Sequence, residues 1–181
     1  RYYASNVTMI DHQVGQLLEA LKHRGYLDNT IVIFCSDHAD ALGEHGHIQK
    51  WTMYDCVTRV PLVIHAPKRV KQARCNDLVQ LMDLAPTILE FAGVSYPSNW
   101  EARSLAPVLT QGRWPEGALR EFVYAELGRD HIQSTSEFVV MRRDTRWKIV
   151  IYPGDDQGEL YDLEMDPGET DNLWNDPALR K

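Results

Sequence analysis

The sequence predicts an α/β domain followed by a small antiparallel-sheet α+β subdomain, and three observations support this fold class. An apolar stripe with helical spacing runs through residues 2–21. Two short apolar runs, at 31–35 and 61–66, have the composition of buried strands. Four short strand patterns separated by polar turns occupy residues 121–163. A helix with buried strands indicates the α/β domain, and the consecutive short strands indicate the antiparallel sheet.

The first element is a predicted amphipathic helix. Its apolar residues recur at steps of three and four: Tyr3, Val7, Ile10, Val14, Leu17, Leu18 and Leu21. Gly25 follows as a stop, and we expect the stripe to belong to the core. Because the first residues already lie inside the helical pattern, we also expect the chain to be the carboxy-terminal piece of a longer protein.

Two predicted strands flank a long polar connection. The run at 31–35 is β-branched and aromatic, which is typical of a strand covered on both faces, as in a parallel sheet. The run at 61–66 has the same character. Both runs therefore predict buried strands of the α/β domain.

A helix follows the second strand. Residues 77–82 resemble a further short strand, and Asp83 is the predicted N-cap of the helix. Pro86 falls in its first turn and Gly93 at its end. We place the end of the α/β part near residue 110, which divides the chain into domains at 1–110 and 111–181.

The last third of the chain predicts the small sheet. Arg143 and Asp144 are expected to form the hairpin turn between its second and third strands. The four strand patterns lie at 121–127, 137–142, 147–152 and 159–163.

Composition excludes several classes of protein. The 181 residues have a net charge of −7, which disfavours a nucleic-acid partner. No apolar run approaches the roughly 20 residues needed to span a bilayer. The three cysteines show no CxxC spacing, so neither a disulfide framework nor a zinc knuckle is indicated.

Residues 36–50, which we call the polar loop, read SDHADALGEHGHIQK. Asp37 and His38 directly follow a predicted buried strand, and ligands in open α/β sheets bind just beyond strand ends. A carboxylate beside an imidazole suits a divalent cation, and Lys50 suits an oxyanion substrate. The alternative interpretation is a solvated loop with a surface lysine.

A resemblance to a known family favours the first interpretation. Residues 34–67 read FCSDHADALGEHGHIQKWTMYDCVTRVPLVIHAP. This run resembles the sulfatase family, whose members show S-D-[HN]-G, then G-E-H-G, then Lys, then Y-[DE], then V-P-L-[IV]. The segments at 2–21, 83–94 and 159–174 match as well. The closest motif resemblance is to iduronate-sulfatase-like and phosphonate-monoester-hydrolase-like members.

The resemblance implies an alkaline-phosphatase-like mixed sheet with helices and a set of site residues. It makes Asp37 and His38 ligands of one divalent cation, Ca²⁺ in the first place, with Mn²⁺, Mg²⁺ or Zn²⁺ as alternatives. Lys50 would be catalytic, contacting sulfate or phosphate oxygens. The family nucleophile is a formylglycine made within C/S-x-P-x-R, a motif that this sequence lacks. We therefore expect it in the amino-terminal part outside this chain.

Other residues of the region have less specific expectations. His45, in GEHG, is either a partner orienting a ligand or a structural histidine, and His47 is a candidate for the substrate pocket. Tyr54 and Asp55 are expected to brace the loop, with Asp55 paired to Arg59 if that segment is helical. The glycine usual after Asp-His is Ala39 here, which would be strained at positive φ.

Three functions remain open at this point. The first is a sulfuric ester hydrolase represented by its carboxy-terminal part, acting on a small-molecule or saccharide sulfate ester. The second is a phosphonate monoester or phosphodiester hydrolase of the same superfamily. The third is a non-catalytic homologue that acts in binding. In each case the implied partner is the missing amino-terminal half of the same protein.

Overall fold

The computed structural model describes residues 2–128 and 138–179, which form two compact units. The first unit consists of Arg1–Cys35 and Leu62–Gln72. The second consists of Ser36–Pro61 and Ala73–Lys181. Within the described ranges, none of the helices combines the length and apolar composition needed to cross a bilayer.

The first unit contains one long helix and two short strands. Helix α1 spans Tyr2–His23, and a 3₁₀ turn at Leu27–Asn29 leads into β1 at Val32–Cys35. Strand β2 spans Leu62–His65. All three main elements were predicted from the sequence within one or two residues.

The direction of the strand pair differs from the prediction. Strands β1 and β2 are antiparallel, with Val32 opposite His65 and Cys35 opposite Leu62. Both strands are also partly exposed in this chain, notably at Phe34 and Val63. The expectation of parallel, fully covered strands was wrong because an apolar run reports propensity for burial and not strand direction.

Helix α1 has the predicted apolar stripe, but none of its residues is buried. Tyr3, Val7, Ile10 and Leu17 are each exposed by half or more. The expectation that the stripe lies in the core is therefore wrong for the described residues taken alone. A contiguous apolar face of this kind is typical of a surface that another part of a protein covers.

The second unit is built on an antiparallel sheet of four consecutive strands. They are β3 at Val123–Gly128, β4 at Phe138–Arg143, β5 at Trp147–Ile151 and β6 at Gly158–Asp162. This confirms the four predicted strands, although residue 137 lies outside the described ranges. The predicted turn begins one residue later than expected, since Arg143 closes β4 and the Asp144 carboxylate accepts from the Arg146 and Trp147 amides.

The core of this unit lies on one face of the sheet. Strand alternation buries Val139 and Met141 of β4 and Val150 of β5, and Met53 from the segment after the polar loop packs against them. Ala125, Leu127 and Tyr152 complete the cluster. Met53 thus attaches the end of the loop region to the sheet.

Three short helices complete the second unit. They are α2 at Asp55–Thr58, α3 at Leu84–Phe91 and α4 at Ala106–Gln111. Further 3₁₀ turns lie at Glu44–Gly46, Leu81–Asp83 and Leu173–Asn175.

The predicted strand at 77–82 is absent, and a 3₁₀ turn at Leu81–Asp83 occupies its end. Asp83 is the N-cap of α3 as predicted, but its carboxylate makes no cap bond to that helix. It accepts instead from the Gln80 and Arg103 amides, at 2.9 and 2.8 Å, and from Arg120 at 2.6 Å. Because Asp83 is fully buried, these bonds outweigh the weak strand propensity and draw the chain into a turn.

Candidate active-site loop

The polar loop is closed by its own backbone and by one carboxylate. The Ala41 amide donates to the Gln49 carbonyl at 2.8 Å. Asp40 Oδ1 accepts from the amides of Leu42 and Gln49, at 2.9 and 3.0 Å. The Ala39 amide donates to the Val57 carbonyl at 2.9 Å. Asp40 Oδ1 is therefore occupied by two amides inside the loop.

The loop also holds several residues in the left-handed region. Leu42, His45 and Gln49 have φ values of 53°, 51° and 66°, although none of them is glycine. Each such residue costs on the order of 1–3 kcal/mol, and strain of this kind clusters at functional sites. Ala39, which stands where the resemblance leads us to expect glycine, does not have a positive φ. The alanine therefore adopts its backbone conformation without the strain of the left-handed region.

Asp37 and His38 form a pair at the start of the loop. His38 Nε2 lies 3.5 Å from Asp37 Oδ2, and the His38 amide donates to Asp37 Oδ1 at 3.0 Å. That amide bond is the largest cause of a pKa of Asp37 below its ordinary value, and the charge of Lys50 adds a smaller effect in the same direction. The Asp37 side chain is 82% exposed and that of His38 39%, so both are accessible.

The pair has the features of a partial metal site. His38 Nδ1 lies 3.0 Å from the Ala39 carbonyl oxygen, and a proton on Nδ1 leaves the Nε2 lone pair free toward Asp37. Metal-bound histidines characteristically donate their other nitrogen in this way. Two ligands at 2.3–2.6 Å from one cation and at right angles lie about 3.3–3.7 Å apart, which fits the observed separation.

The pair does not make a complete site. Across residues 2–128 and 138–179, no group of three or more His, Cys, Asp or Glu side chains has an arrangement able to hold a metal ion. Asp37 and His38 therefore stand as a pair of candidate ligands among the described residues.

Lys50 and His47 are exposed at the far end of the loop. Lys50 Nζ lies 5.8 Å from the centroid of the Trp51 ring, and the Trp51 indole donates to Gln49 Oε1 at 2.7 Å. The centroid of the His47 ring lies 6.2 Å from that of Tyr54. An exposed ammonium within electrostatic range of Asp37 is suited to an anion that binds beside a cation.

His45 is held by an aromatic stack. Its ring lies 3.7 Å from that of Tyr54, centroid to centroid, with an interplanar angle of 4°. The Tyr54 hydroxyl lies 3.5 Å from the Tyr161 hydroxyl of β6, which in turn donates to Glu159 Oε2 at 3.1 Å. Glu159 Oε1 accepts from Tyr152 at 2.5 Å. Burial is the main cause that raises the pKa values of Tyr54, Tyr152 and Tyr161, so these phenols stay protonated donors at neutral pH.

A buried ionic cluster includes Asp55, the residue that follows Tyr54. We define the cluster as Asp55, Arg143, Lys148 and Glu169. Lys148 is fully buried. Its ammonium donates to Asp55 Oδ1 at 2.5 Å and to the Met53 carbonyl at 3.0 Å, and it forms an ion pair with Glu169. Arg143 contacts Asp55 Oδ2 at 3.0 Å. Glu169 Oε2 also accepts from the Asp55 amide at 2.6 Å.

Sequence reasoning missed this cluster. The expected Asp55–Arg59 pair is wrong, because the Asp55 carboxylate is engaged by Lys148 and Arg143. The available signal was strand alternation, since Lys148 stands two residues before the buried Val150 and so faces the core. A lysine at an inward position requires a buried carboxylate partner.

Comparison with known proteins identifies the family. A model described as "N-sulphoglucosamine sulphohydrolase, C-terminal" matches residues 43–181, which is more than half of the chain. The N-acetylglucosamine-6-O-sulfatase of Bacteroides thetaiotaomicron is 36% identical over 100% of this chain and 33% of its own length. The chain thus spans about a third of the length of curated relatives that it matches.

Solved structures agree with this assignment. One was determined in complex with its substrate D-glucosamine-2-N,6-O-disulfate, with a TM-score of 0.80, 32% identity, and coverage of 95% of this chain and 35% of that one. The phosphonate monoester hydrolase of Agrobacterium radiobacter gives a TM-score of 0.85 at 30% identity, over 95% of this chain and 36% of that one. The predicted fold class, that of the alkaline-phosphatase-like sulfatases, is confirmed by these likenesses. The chain belongs to the sulfatase family and corresponds to its C-terminal part.

Proposed function

We propose that the intact protein hydrolyses sulfuric esters and that this chain supplies part of its metal and substrate site. The observation that supports this most is the exposed pair of Asp37 and His38, with Nε2 and Oδ2 3.5 Å apart. It lies in a strained loop of a sulfatase-family chain. Taken alone, the chain is expected to be inactive, because no C/S-x-P-x-R motif occurs in it.

Asp37 and His38 would hold one divalent cation. The family resemblance makes Ca²⁺ the first choice. The carboxylate would also suit Mg²⁺, and the imidazole nitrogen beside it adds Mn²⁺ and Zn²⁺ as alternatives. The bound cation would supply positive charge that stabilises an oxyanion. The formylglycine expected for the family would come from the part of the protein outside this chain.

Lys50 would act on the substrate. Its ammonium is exposed, and it belongs to the same loop as Asp37 and His38, which would bring it beside an anion bound to the cation. There it would donate to sulfate oxygens and neutralise the charge that they gain in the transition state. His47 is a candidate for the wall of the substrate pocket, and His45 for a residue that orients the loop.

The substrate class that we propose is a small-molecule or saccharide sulfate ester. One structural neighbour was solved with a disulfated glucosamine as its substrate, and a relative is named an N-acetylglucosamine-6-O-sulfatase. The likeness to a phosphonate monoester hydrolase keeps phosphonate or phosphodiester hydrolysis as the second candidate.

The rest of the protein is the proposed partner of the first unit. The exposed apolar stripe of α1 supports this, because a chain that spans a third of its relatives would have faces that the remainder covers. We keep the division into domains at 1–110 and 111–181 as a proposal for the intact enzyme.

Paired rates of the intact protein on an aryl sulfate and an aryl phosphonate ester test the proposal. A faster reaction of the sulfate is the expected result. Reaction of the phosphonate alone would favour the second candidate and contradict the first. The upstream sequence should contain C/S-x-P-x-R, and its absence together with no turnover would indicate a non-catalytic binding homologue.

A further inference from the structure

The polar loop is closed by its own hydrogen bonds, but its tip around Glu44–Gly46 has an unusual backbone conformation. His45, at φ 51°, stands in a left-handed conformation, and the neighbouring Gly43 and Gly46 have φ values of 102° and 75°. A segment with this backbone needs outside support to keep a single conformation. The contact that supplies it is the parallel stack of His45 on Tyr54.

Tyr54 is in turn fixed from both sides. Met53 before it is buried in the core of the sheet, and its carbonyl accepts from the buried Lys148. Asp55 after it is bound by Lys148 through its carboxylate and by Glu169 through its amide. The backbone on both sides of Tyr54 is therefore attached to buried charged groups.

The ring of Tyr54 is directed by the sheet as well. Its hydroxyl approaches that of Tyr161, which is almost fully buried and is oriented by Glu159. A ring attached at its backbone and contacted at its hydroxyl presents a rigid face to His45. By stacking on His45, this ring fixes the position of the loop that contains Lys50 and His47 relative to the sheet.

We propose that Tyr54 is a positioning residue through which the buried ionic cluster and the C-terminal sheet hold the polar loop in its substrate-binding conformation. The proposal rests on the proposed function, since it concerns the loop that presents Lys50. It assigns to the C-terminal sheet a part in catalysis, although no residue of the sheet is placed against substrate. Loss of an outer partner of this kind typically lowers activity about 10–100-fold.

The first test compares two variants of the intact protein. Tyr54→Phe keeps the ring over His45 and loses only the hydroxyl contact, whereas Tyr54→Leu removes the stack. We expect kcat/KM on an aryl sulfate to change by less than about 3-fold in Tyr54→Phe and to fall about 10–100-fold in Tyr54→Leu. Equal kcat/KM in wild type and a folded Tyr54→Leu would overturn the proposal.

A second variant covers the case in which Tyr54→Leu fails to fold. His45→Asn removes the stack from the loop side, and asparagine tolerates the left-handed backbone. If Tyr54→Leu does not fold, kcat/KM of His45→Asn alone should fall about 10–100-fold, and an unchanged value would overturn the proposal. If Tyr54→Leu folds, the double variant should be no worse than the poorer single variant, and additive losses would contradict the proposal.

A spectroscopic measurement separates this proposal from the proposed function. In protein with ¹³C-labelled histidine, the Tyr54 ring current should displace the His45 imidazole resonance, and Tyr54→Leu should abolish the displacement and shift His47. If wild type hydrolyses neither ester, the proposed function is wrong, but these resonances still report whether Tyr54 orders the loop. Unchanged His45 and His47 resonances in Tyr54→Leu would overturn the positioning role.

Discussion

The second unit contains two groups of carboxylate and nitrogen-bearing side chains that are alike in composition and differ in environment. Asp37, His38 and Lys50 lie in the polar loop, where the Asp37 side chain is 82% exposed. Asp55, Lys148 and Glu169 lie in the buried ionic cluster, where Lys148 has no exposed surface. Each group combines carboxylate with nitrogen, yet only the first is open to a ligand.

The difference shows how a site is distinguished from structural support. In the buried cluster the Lys148 ammonium donates to Asp55 and to the Met53 carbonyl and is paired in charge with Glu169. A satisfied buried cation has nothing to offer a ligand and is costly to disturb. Asp37 and His38 place an accessible oxygen and an accessible nitrogen, both able to bind a cation, beside each other. Because both side chains are exposed, we expect their substitution to change the free energy of unfolding little.

The largest expected effect on stability comes from the buried cluster. Lys148→Met should lower the free energy of unfolding by about 3–5 kcal/mol, because Glu169 then loses its ammonium partner in a buried site. Urea denaturation of the intact protein measures this effect. The matched control is Lys22→Met on exposed α1, where we expect no measurable change.

A loss below about 1 kcal/mol in Lys148→Met would contradict the division between the two groups. It would mean that the cluster is not a support and that its charges are available for another role.

The second effect concerns the exposed group. Lys50→Ala should lower kcat/KM of the intact protein on an aryl sulfate about 10²–10³-fold, because one preorganised positive group is lost from the transition state. Its denaturation midpoint should stay at that of wild type, since the side chain is exposed. Lys71→Ala, also exposed, is the control for charge alone. Equal rates in Lys50→Ala and Lys71→Ala would remove Lys50 from the site.

Close packing of Trp174 on Gly158 is expected to stabilise the sheet independently of any charge. A Cβ at Gly158 of β6 would meet the Trp174 ring at 2.7 Å, and that ring is fixed by an indole bond to the Asp156 carbonyl. Gly158→Ala should therefore destabilise by about 1–3 kcal/mol. Gly128→Ala in β3 has open space and serves as the control. Equal melting temperatures of the two variants would show that the Trp174 contact is not tight.

The smallest effect is a dependence of stability on pH. Arg146 lowers the pKa of Asp162 below its ordinary value. The Asp171 and Thr170 amides and the Thr170 hydroxyl do the same for the pKa of Asp166. A carboxylate whose pKa is lower in the folded than in the unfolded protein stabilises the fold at any pH above its unfolded pKa. This stabilisation is lost as the pH falls through the pKa of the carboxylate in the folded protein.

The melting temperature should accordingly fall on acidification from about pH 5 to pH 3. In Asp166→Asn this fall should be shallower than in wild type. A fall of the same steepness would show that Asp166 contributes no pH-dependent stability.

The sequence predicted the elements better than the contacts between them. The strands of the sheet follow from alternation, which places Met141 and Val150 on one face. The antiparallel pairing of β1 with β2 was missed because composition is silent on direction. The partners of Asp55 were missed because Lys148 and Glu169 lie 93 and 114 residues away along the chain. Asp37, His38 and Lys50 were found because they are close in sequence.

Metal content of the intact protein tests the central distinction most directly. After dialysis, wild type and Asp55→Asn should each retain one divalent cation per chain by elemental analysis, whereas Asp37→Asn should lose it. Retention of the cation by Asp37→Asn, or its loss from a folded Asp55→Asn, would contradict the assignment of the exposed pair to the site and of the buried cluster to support.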